Sequence, residues 1–387
     1  MTRNGHDAPA ICQGQDLLAP YGQIVLVLQG GGALGAYQAG VYQAMHEAGV
    51  EPDWVIGTSI GAINASLIAG NAVADRLPRL EAFWRRMEHA LPLQMAACTP
   101  IVGGMLANWM TVVGGLPAFF TPNWTALASP DAKLGAAAAG YYSTEPLRAT
   151  LSELVDFDRI NSRETRLTVG AANARTSEMV YFDNRETTFD VRHVMASGAL
   201  PPAFPAIAID GEIFWDGGVL SNTPVEVIFD DDPRRDAVVF AVHLWNPRGP
   251  DPQTIRQVLG RQKDVQYSSR AKTHITRQKQ IHKLRHVISE LAAKLPEQLR
   301  ADNAVRELAS YGCVTRMHVV RLLAPTLARE DHTKDIDFSP AGIRERWTAG
   351  HADMQATLAR APWTEQVDPM EGLVLHDVMP GMQVKTS

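Results

Sequence analysis

The chain has 387 residues, of which 45% are hydrophobic and 20% charged, and its formal net charge at pH 7 is −6. This length allows two or three domains or one large α/β domain, and the acidic balance argues against nucleic acid as a bulk partner. The three cysteines, Cys12, Cys98 and Cys313, have neither the number nor the spacing of a disulfide framework or a metal site, so we expect no metal and a reducing, cytoplasmic setting.

The amino-terminal part alternates predicted strands and helices. Residues 1–22 are polar and predict a weakly ordered arm without a secretory signal. The apolar run IVLVLQ (24–29) is typical of a strand buried on both faces, and helical spacing follows it up to Gly49. DWVIG (53–57) predicts a second strand, and AINASLIAGN (62–71) continues as a helix. This order predicts an α/β fold with a mainly parallel central sheet.

An uncharged segment interrupts this alternation. No Asp, Glu, Lys or Arg occurs from His89 to Pro130, and a segment of this length could contain a transmembrane helix. Repeated Gly and Pro, such as Pro100 and Pro117, break the segment, so we expect an apolar insertion over about 91–130 instead. A lid or pocket wall and ordinary core packing are equal alternatives for it.

The pattern of strands and helices then resumes. We expect a helix over 144–155, a strand pair from 166–176 and 178–184, and a helix that passes into a Pro-rich loop after Val191. EIFWD predicts a strand that ends at Asp216, and AVVFAVHLW (237–245) predicts the last strand of the core.

Gly, Pro and Asp cluster near 247–252 and predict a domain boundary. Residues 246–365 are expected to form a mostly helical extension, followed by a tail over 366–387 without a pattern. The extension contains one or two helices over 253–297, with a basic face that carries three histidines predicted to be solvated: His274, His282 and His286. MHVVRLLAP (317–325) predicts a strand returning to the main sheet, and Ser339 predicts the N-cap of a last helix that starts at Pro340.

The first motif with chemical potential is GTSIG, from Gly57 to Gly61. Its position between a strand and a helix fits a nucleophile elbow, in which small flanking residues permit a strained turn that exposes the Ser59 hydroxyl. The positive end of the following helix then points at the group that Ser59 attacks. A Gly-rich turn in which Ser59 only caps the helix is the alternative.

The second motif is GGGALG, from Gly30 to Gly35, at the preceding strand-to-helix turn. The N–H groups of Gly30, Gly31 and Gly32, joined by that of Ile60, would supply donors for the oxyanion of acyl transfer.

The same glycines fit a dinucleotide fingerprint, G-x-G-x-x-G. That site requires an acidic residue at the end of the second strand, where this chain has Gly57, while Asp53 stands before the strand.

The third motif is Asp216-Gly217-Gly218, in which the glycines expose the carboxylate as a candidate base for Ser59. An ordinary Asp-Gly turn is the alternative. A Ser–His–Asp triad would require a histidine after Asp216; His243 lies inside a predicted strand and is interpreted as structural.

The three motifs in this order resemble the patatin-like phospholipases, as do ASGALPPAFP (196–205) and GGVLSNTPV (217–225). The resemblance covers about residues 23–245, which we therefore expect to form the catalytic domain. It implies a three-layer α/β sandwich and a Ser–Asp dyad, with Ser59 as nucleophile, Asp216 as general base, and no cofactor. The family often has Arg or Lys where this chain has Leu34, so the preference for a head group is not predicted.

The sequence thus predicts a serine lipid acyl hydrolase acting on a lipid acyl ester. A carboxylesterase for other acyl esters, a dinucleotide-binding protein using Gly30–Gly35, and a scaffold with a decayed site are the alternatives. The apolar insertion and the basic helix suggest peripheral contact with a membrane, although a solvated helix face is the better interpretation of the latter. The sequence predicts no oligomeric state.

Overall fold

The structure is a computed structural model that describes residues 18–88, 115–327 and 330–378. Most of the predicted amino-terminal arm, the first part of the apolar insertion and the end of the tail lie outside these ranges. No helix within the described ranges is both long and apolar enough to cross a membrane.

A central sheet of nine strands organises the described part of the chain, and a separate strand pair, β3 with β4, lies beside it. The strands are β1 Gln23–Leu28, β2 Trp54–Thr58, β3 Thr121–Pro122, β4 Tyr142–Ser143, β5 Arg166–Asn173, β6 Met179–Asp183, β7 Ile207–Ile209, β8 Glu212–Asp216, β9 Ala237–His243, β10 Met317–Leu323 and β11 Leu373–Val378.

The sheet has the order β11-β10-β9-β1-β2-β5-β8-β7, and β6 also pairs with β5. Neighbours from β11 to β5 run parallel, whereas β6, β7 and β8 pair antiparallel. The mainly parallel sheet is therefore confirmed, as is the predicted hairpin of β5 and β6. Parallel strands place their carboxyl ends at one edge, which is where sites form in such sheets.

Helices fill the intervals between strands. They are α1 Ala36–Glu47, α2 Ile60–Ala69, α3 Val73–Met87, α4 Trp124–Ala128, α5 Glu145–Leu154, α6 Phe157–Ser162, α7 Val191–Ser197, α8 Glu226–Phe229, α9 Ile255–Lys294, α10 Glu297–Arg300, α11 Asn303–Ser310 and α12 Pro340–Arg360. The caps follow the sequence signals, since the Ser339 side chain accepts from the N–H of Gly342 at the start of α12. The amphipathic α3 has no counterpart in the predictions above.

Both faces of the sheet are buried, as the apolar runs predict. Alternate residues point to opposite faces, so Leu26 and Phe240 belong to one core, while Val27 and Val239 belong to the other. The larger core packs against α1, α2, α3, α7 and α12, and the smaller one against α8 and α9. These layers confirm the predicted three-layer α/β sandwich.

Helix α12 crosses α1 at close range because glycines meet there. A Cβ atom at Gly40 would collide with the Trp347 carbonyl, and one at Gly350 would collide with the Tyr37 carbonyl. The Tyr37 hydroxyl also donates to Asp353 over 2.8 Å. The last long helix thus packs directly on the helix that follows the glycine turn.

The extension continues the main sheet. Strand β10 pairs with β9, which confirms its predicted return and means that β9 is not the last core strand. Strand β11 lies in a segment where the sequence shows no pattern. Helix α9 is one continuous helix of 40 residues.

Two of the three histidines predicted to be solvated on α9 are buried. His282 is 0% exposed and packs on the Phe229 ring, and His286 is buried next to Gly372. That prediction was wrong because Ile275, His282 and His286 share the face of α9 that packs on the sheet layer. His274 is exposed, as predicted.

Candidate active site

Ser59 stands at a sharp turn between β2 and α2, as the GTSIG motif predicts. Its backbone has φ 57° and ψ −127°, a conformation that costs energy for a residue with a side chain. The flanking glycines make the turn fit: a Cβ atom at Gly57 would collide with the Gly61 carbonyl, and one at Gly61 would collide with Leu28. Strain of this kind at a serine is typical of a nucleophile elbow.

A second serine holds the elbow in place. The Ser59 N–H donates to the Ser197 hydroxyl over 3.0 Å, and this hydroxyl donates to the Gly170 carbonyl over 2.6 Å. Ser197 ends α7, at the start of the segment ASGALPPAFP, and is fully buried. These two hydrogen bonds connect the end of α7 and strand β5 to the turn between β2 and α2.

Asp216 ends β8, beside the carboxyl end of β5, and this pairing brings it to Ser59. Its side chain is 2% exposed, and Oδ1 accepts from the Gly218 N–H over 2.7 Å. Burial raises the pKa of Asp216 from 3.8 to about 7, opposed by hydrogen bonds from the Ser59 hydroxyl and the Gly218 N–H. The Asp216 carboxyl group therefore interacts with the Ser59 hydroxyl and titrates near neutral pH.

No histidine, lysine or arginine is found among the described residues that line the pocket at Ser59. His243 ends β9 and is buried, and its Nε2 has no hydrogen-bond partner among the described residues. Burial, aided by the charge of Arg321, lowers the pKa of His243 to about 3. The geometry supports the interpretation of His243 as structural.

The glycine turn faces Ser59, but its N–H groups differ in availability. The Gly30 N–H donates to the Asn222 carbonyl over 3.2 Å, so Gly30 has to be removed from the predicted oxyanion donors. Within the described part of the chain, the N–H groups of Gly31, Gly32 and Ile60 have no hydrogen-bond acceptor. Gly31, Gly32 and Ile60 thus stay as candidate oxyanion donors.

Two side chains that the motifs did not single out fix the Gly30 carbonyl. Asn222 Nδ2 donates to this oxygen over 3.1 Å and Trp245 Nε1 over 2.8 Å. Because the C=O and the next N–H of a peptide point in opposite directions, these bonds turn the Gly31 N–H away from Asn222 and Trp245. A usable signal was the position of Trp245, just beyond the carboxyl end of β9.

A cavity of about 190 Å³ opens over Ser59, and its walls are mostly aromatic and aliphatic. Phe120 contacts Tyr142 and Phe204 at ring-centre distances of 4.9 and 5.4 Å. Phe119 and Phe120 belong to the predicted apolar insertion, so its described end does contribute to a pocket wall. Residues 89–114 of the insertion lie outside the described residues.

The extension also lines this cavity, which the sequence did not predict. Tyr267 comes from α9, and three further residues, Asp335, Ile336 and Phe338, come from the segment before α12. Burial raises the pKa of Tyr267, and the negative charges of Asp216 and Asp335 act in the same direction. The site therefore combines residues from both sides of the predicted boundary at 247–252.

Comparison with known proteins agrees with these motifs. Residues 26–229 match the family model of the patatin-like phospholipases, and residues 265–370 match a second model described as patatin phospholipase. A segment of 63 residues is 49% identical to lysophospholipase nte1 of Aspergillus terreus and 44% identical to human patatin-like phospholipase domain-containing protein 6. The segment is 16% of this chain and 4% and 5% of those two proteins, respectively.

Solved structures also align, at low identity. VipD from Legionella pneumophila aligns over 89% of this chain and 68% of its own, with 18% identity and a TM-score of 0.37. ExoU in its complex with SpcU, from Pseudomonas aeruginosa, aligns over 90% and 73%, with 16% identity and a TM-score of 0.27. Since one family model covers more than half of its length, the chain belongs to the patatin-like phospholipase family.

Proposed function

We propose that this protein hydrolyses the carboxylic ester bonds of lipids, with Ser59 as nucleophile and Asp216 as general base. The observation that carries the proposal is the position of Ser59, at a strained turn beside a buried Asp216 whose pKa is about 7. A carboxylate of ordinary pKa is a weak base at neutral pH, whereas one near 7 is well matched to accept a proton.

In the first step, Ser59 Oγ attacks the ester carbonyl carbon and its proton passes to Asp216. The carbonyl oxygen gains the negative charge, which the N–H groups of Gly31, Gly32 and Ile60 stabilise. The tetrahedral intermediate then collapses. Its alcohol leaves with the proton held by Asp216, and the acyl group stays on Ser59.

In the second step, water attacks the acyl-serine and gives a proton to Asp216. The same N–H groups stabilise the second oxyanion, and the proton returns to Ser59 Oγ as the fatty acid leaves. Each cycle consumes one ester and one water and restores both side chains.

The pocket walls favour an acyl chain. Phe119, Phe120, Phe204 and Phe338 offer apolar surface beside Ser59, so a hydrocarbon chain gains free energy by leaving water there. Leu34, where the family often carries a cation, is buried in the core. Because nothing described in the pocket is basic, hydrolysis of acyl esters other than phospholipids stays an alternative.

The geometry disfavours a dinucleotide at Gly30–Gly35. Asn222 Oδ1 fills the space beside Gly30, and the Asp335 carbonyl fills that beside Gly32, where a pyrophosphate would have to approach the backbone. The cytoplasmic setting and peripheral contact with a membrane stay predictions.

A serine-directed fluorophosphonate probe tests the nucleophile. Ser59→Ala should abolish labelling and lower the hydrolysis of a lipid ester at least about 10³-fold, and Asp216→Asn should lower kcat by about 10³-fold. Ser66→Ala is the matched control, because Ser66 lies on α2 with its hydroxyl bonded to the Ile63 carbonyl. The assignment is wrong if folded Ser59→Ala keeps its label and its activity. A panel of phospholipids and simple acyl esters then separates the two substrate classes.

A further inference from the structure

Two ion pairs join α9 to the 3-10 turn Lys334–Ile336, and their charges are reciprocal. Lys263 Nζ binds Asp335 Oδ1 and Oδ2 at 2.6 and 2.8 Å, and Lys334 Nζ binds Asp264 Oδ1 at 2.8 Å. Each segment thus contributes a cation and an adjacent anion. Lys334 is buried, and Lys263 also donates to the His332 carbonyl over 3.0 Å. Such a paired arrangement fixes both the position and the register of the turn.

The turn held by these pairs touches the candidate oxyanion donors. The Asp335 carbonyl occupies the space that a side chain at Gly32 would need. Gly32 has φ 56°, in the region that favours glycine, so its backbone can take this conformation beside Asp335 without strain. The position of the Gly32 peptide is therefore limited on one side by a residue of the extension.

A second contact reaches the other end of the glycine turn. Trp245, whose Nε1 donates to the Gly30 carbonyl, packs on the Tyr267 ring of α9 with ring centres 4.9 Å apart. Lys334 Nζ lies 5.2 Å from the centre of the Trp245 ring, so the same lysine joins the ion pairs to this contact. Trp245 and Asp335, which both contact α9, thus pack against the two ends of the glycine turn.

We propose that α9 and the turn Lys334–Ile336 form an oxyanion clamp, defined by Lys263, Asp264, Lys334 and Asp335, which positions the Gly31 and Gly32 N–H groups. The proposal rests on the hydrolase function proposed above, and these four are positioning residues. A donor that drifts from the oxyanion loses its effect on the transition state and leaves ground-state binding in place. The extension is in this view a part of the catalytic machinery.

The test compares Lys263→Met with Lys263→Arg, which keeps the charge. Lys263→Met should lower kcat about tenfold, with KM within twofold, since removing a whole oxyanion donor costs about 10²–10³. It should also raise the Ki of an alkyl trifluoromethyl ketone about tenfold, because the serine adduct of this inhibitor carries the oxyanion. Lys263→Arg should stay within about twofold of the wild type.

Lys279→Met is the matched control. Lys279 lies on the same helix and pairs with Glu371 over 3.1 Å, away from the pocket. The kcat of Lys279→Met should therefore stay within about twofold of the wild type. Wild-type kcat and Ki in Lys263→Met, or an equal loss in Lys279→Met, would overturn the clamp.

A double-mutant cycle guards against a general loss of stability. If Lys263→Met unfolds at a lower temperature than the wild type, kcat is measured for three variants: Lys263→Met, Asp335→Asn and the double variant. The clamp predicts that the kcat of the double variant is no lower than that of the less active single variant, whereas additive losses would refute it. A wild-type protein without Ser59-dependent turnover would refute the hydrolase and the clamp together; an active wild type insensitive to Lys263 would refute the clamp alone.

Discussion

Very different carboxylates lie beside the two ends of strands β2 and β5. At the amino ends, Trp54 is in register with Arg166, whose guanidinium binds Asp183 and Asp231, each at 2.8 Å, and stacks 3.6 Å from the Trp54 ring centre. At the carboxyl ends, about 13 Å away along the five residues of β2, the Asp216 carboxyl group accepts from the Gly218 N–H and interacts with the Ser59 hydroxyl, and the described residues that line the pocket include no cation.

The difference shows that the same sheet has carboxylates paired with a cation at one end and a carboxylate facing only neutral donors at the other. A guanidinium between two mostly buried carboxylates makes the group a structural contact. Neutral donors compensate only part of the desolvation of Asp216, so its protonated and ionised forms are close in free energy near pH 7. One end of the sheet is thus suited to stability and the other to proton transfer.

The largest expected effect is on stability, at the amino ends of the strands. Arg166→Met removes the cation that two mostly buried carboxylates share and leaves Asp231 only the longer contact with Arg185, at 3.7 Å, so the free energy of unfolding should fall by about 3 kcal/mol. Guanidinium chloride unfolding measures the loss. Turnover per labelled Ser59 should stay within about twofold, because the pocket lies at the other end.

Arg86→Met provides the control for this variant. The Arg86 and Glu153 side chains are 35% and 60% exposed, so losing their ion pair should cost much less stability than losing the contacts of Arg166. A similar cost for both variants would show that the Arg166 network is no stronger than an exposed pair.

The second prediction concerns pH. Asp216 accepts a proton only when ionised, and its pKa is about 7, so kcat/KM should rise with pH through about 7 and then level off. Between the plateau and pH 5 the rate should fall about a hundredfold, that is, about tenfold per pH unit. A profile flat from pH 5 to 8, in protein that circular dichroism shows to be folded, would mean that Asp216 is not the titrating base.

The smallest effect is on the pH dependence of stability. Because the folded-state pKa of Asp216 is raised from 3.8 to about 7, its contribution to stability is fully present below pH 3.8 and is lost as pH rises from there through about 7. Asp216→Asn removes this loss, so the variant should be more stable than wild type by at least about 1 kcal/mol at pH 8. At pH 5 the advantage of the variant should be smaller, because only part of the loss has occurred at that pH. A stability difference that does not change between pH 5 and pH 8 would contradict the raised pKa.

Much of the fold was predictable because it follows from local patterns. The apolar runs of β1, β2 and β9, the Ser339 cap of α12 and the turn at Ser59 each depend on a few neighbouring residues. Local patterns were not enough for helix α9. Its helical character was predicted, but one helix and two stayed open, and its many cations concealed which face packs inward, so the burial of His282 was missed. Choosing that face requires knowledge of the layer it meets.

The sequence by itself determined the chemical parts of the site. Small residues around Ser59, consecutive glycines after β1 and glycines after Asp216 are required by backbone geometry, which acts within each motif. Only the tertiary structure decided how these parts are used. The Gly30 N–H is taken by Asn222, Trp245 holds the Gly30 carbonyl, and Asp335 borders Gly32. Those contacts join residues far apart in the chain, and the contact with Asp335 depends on how the extension packs on the sheet.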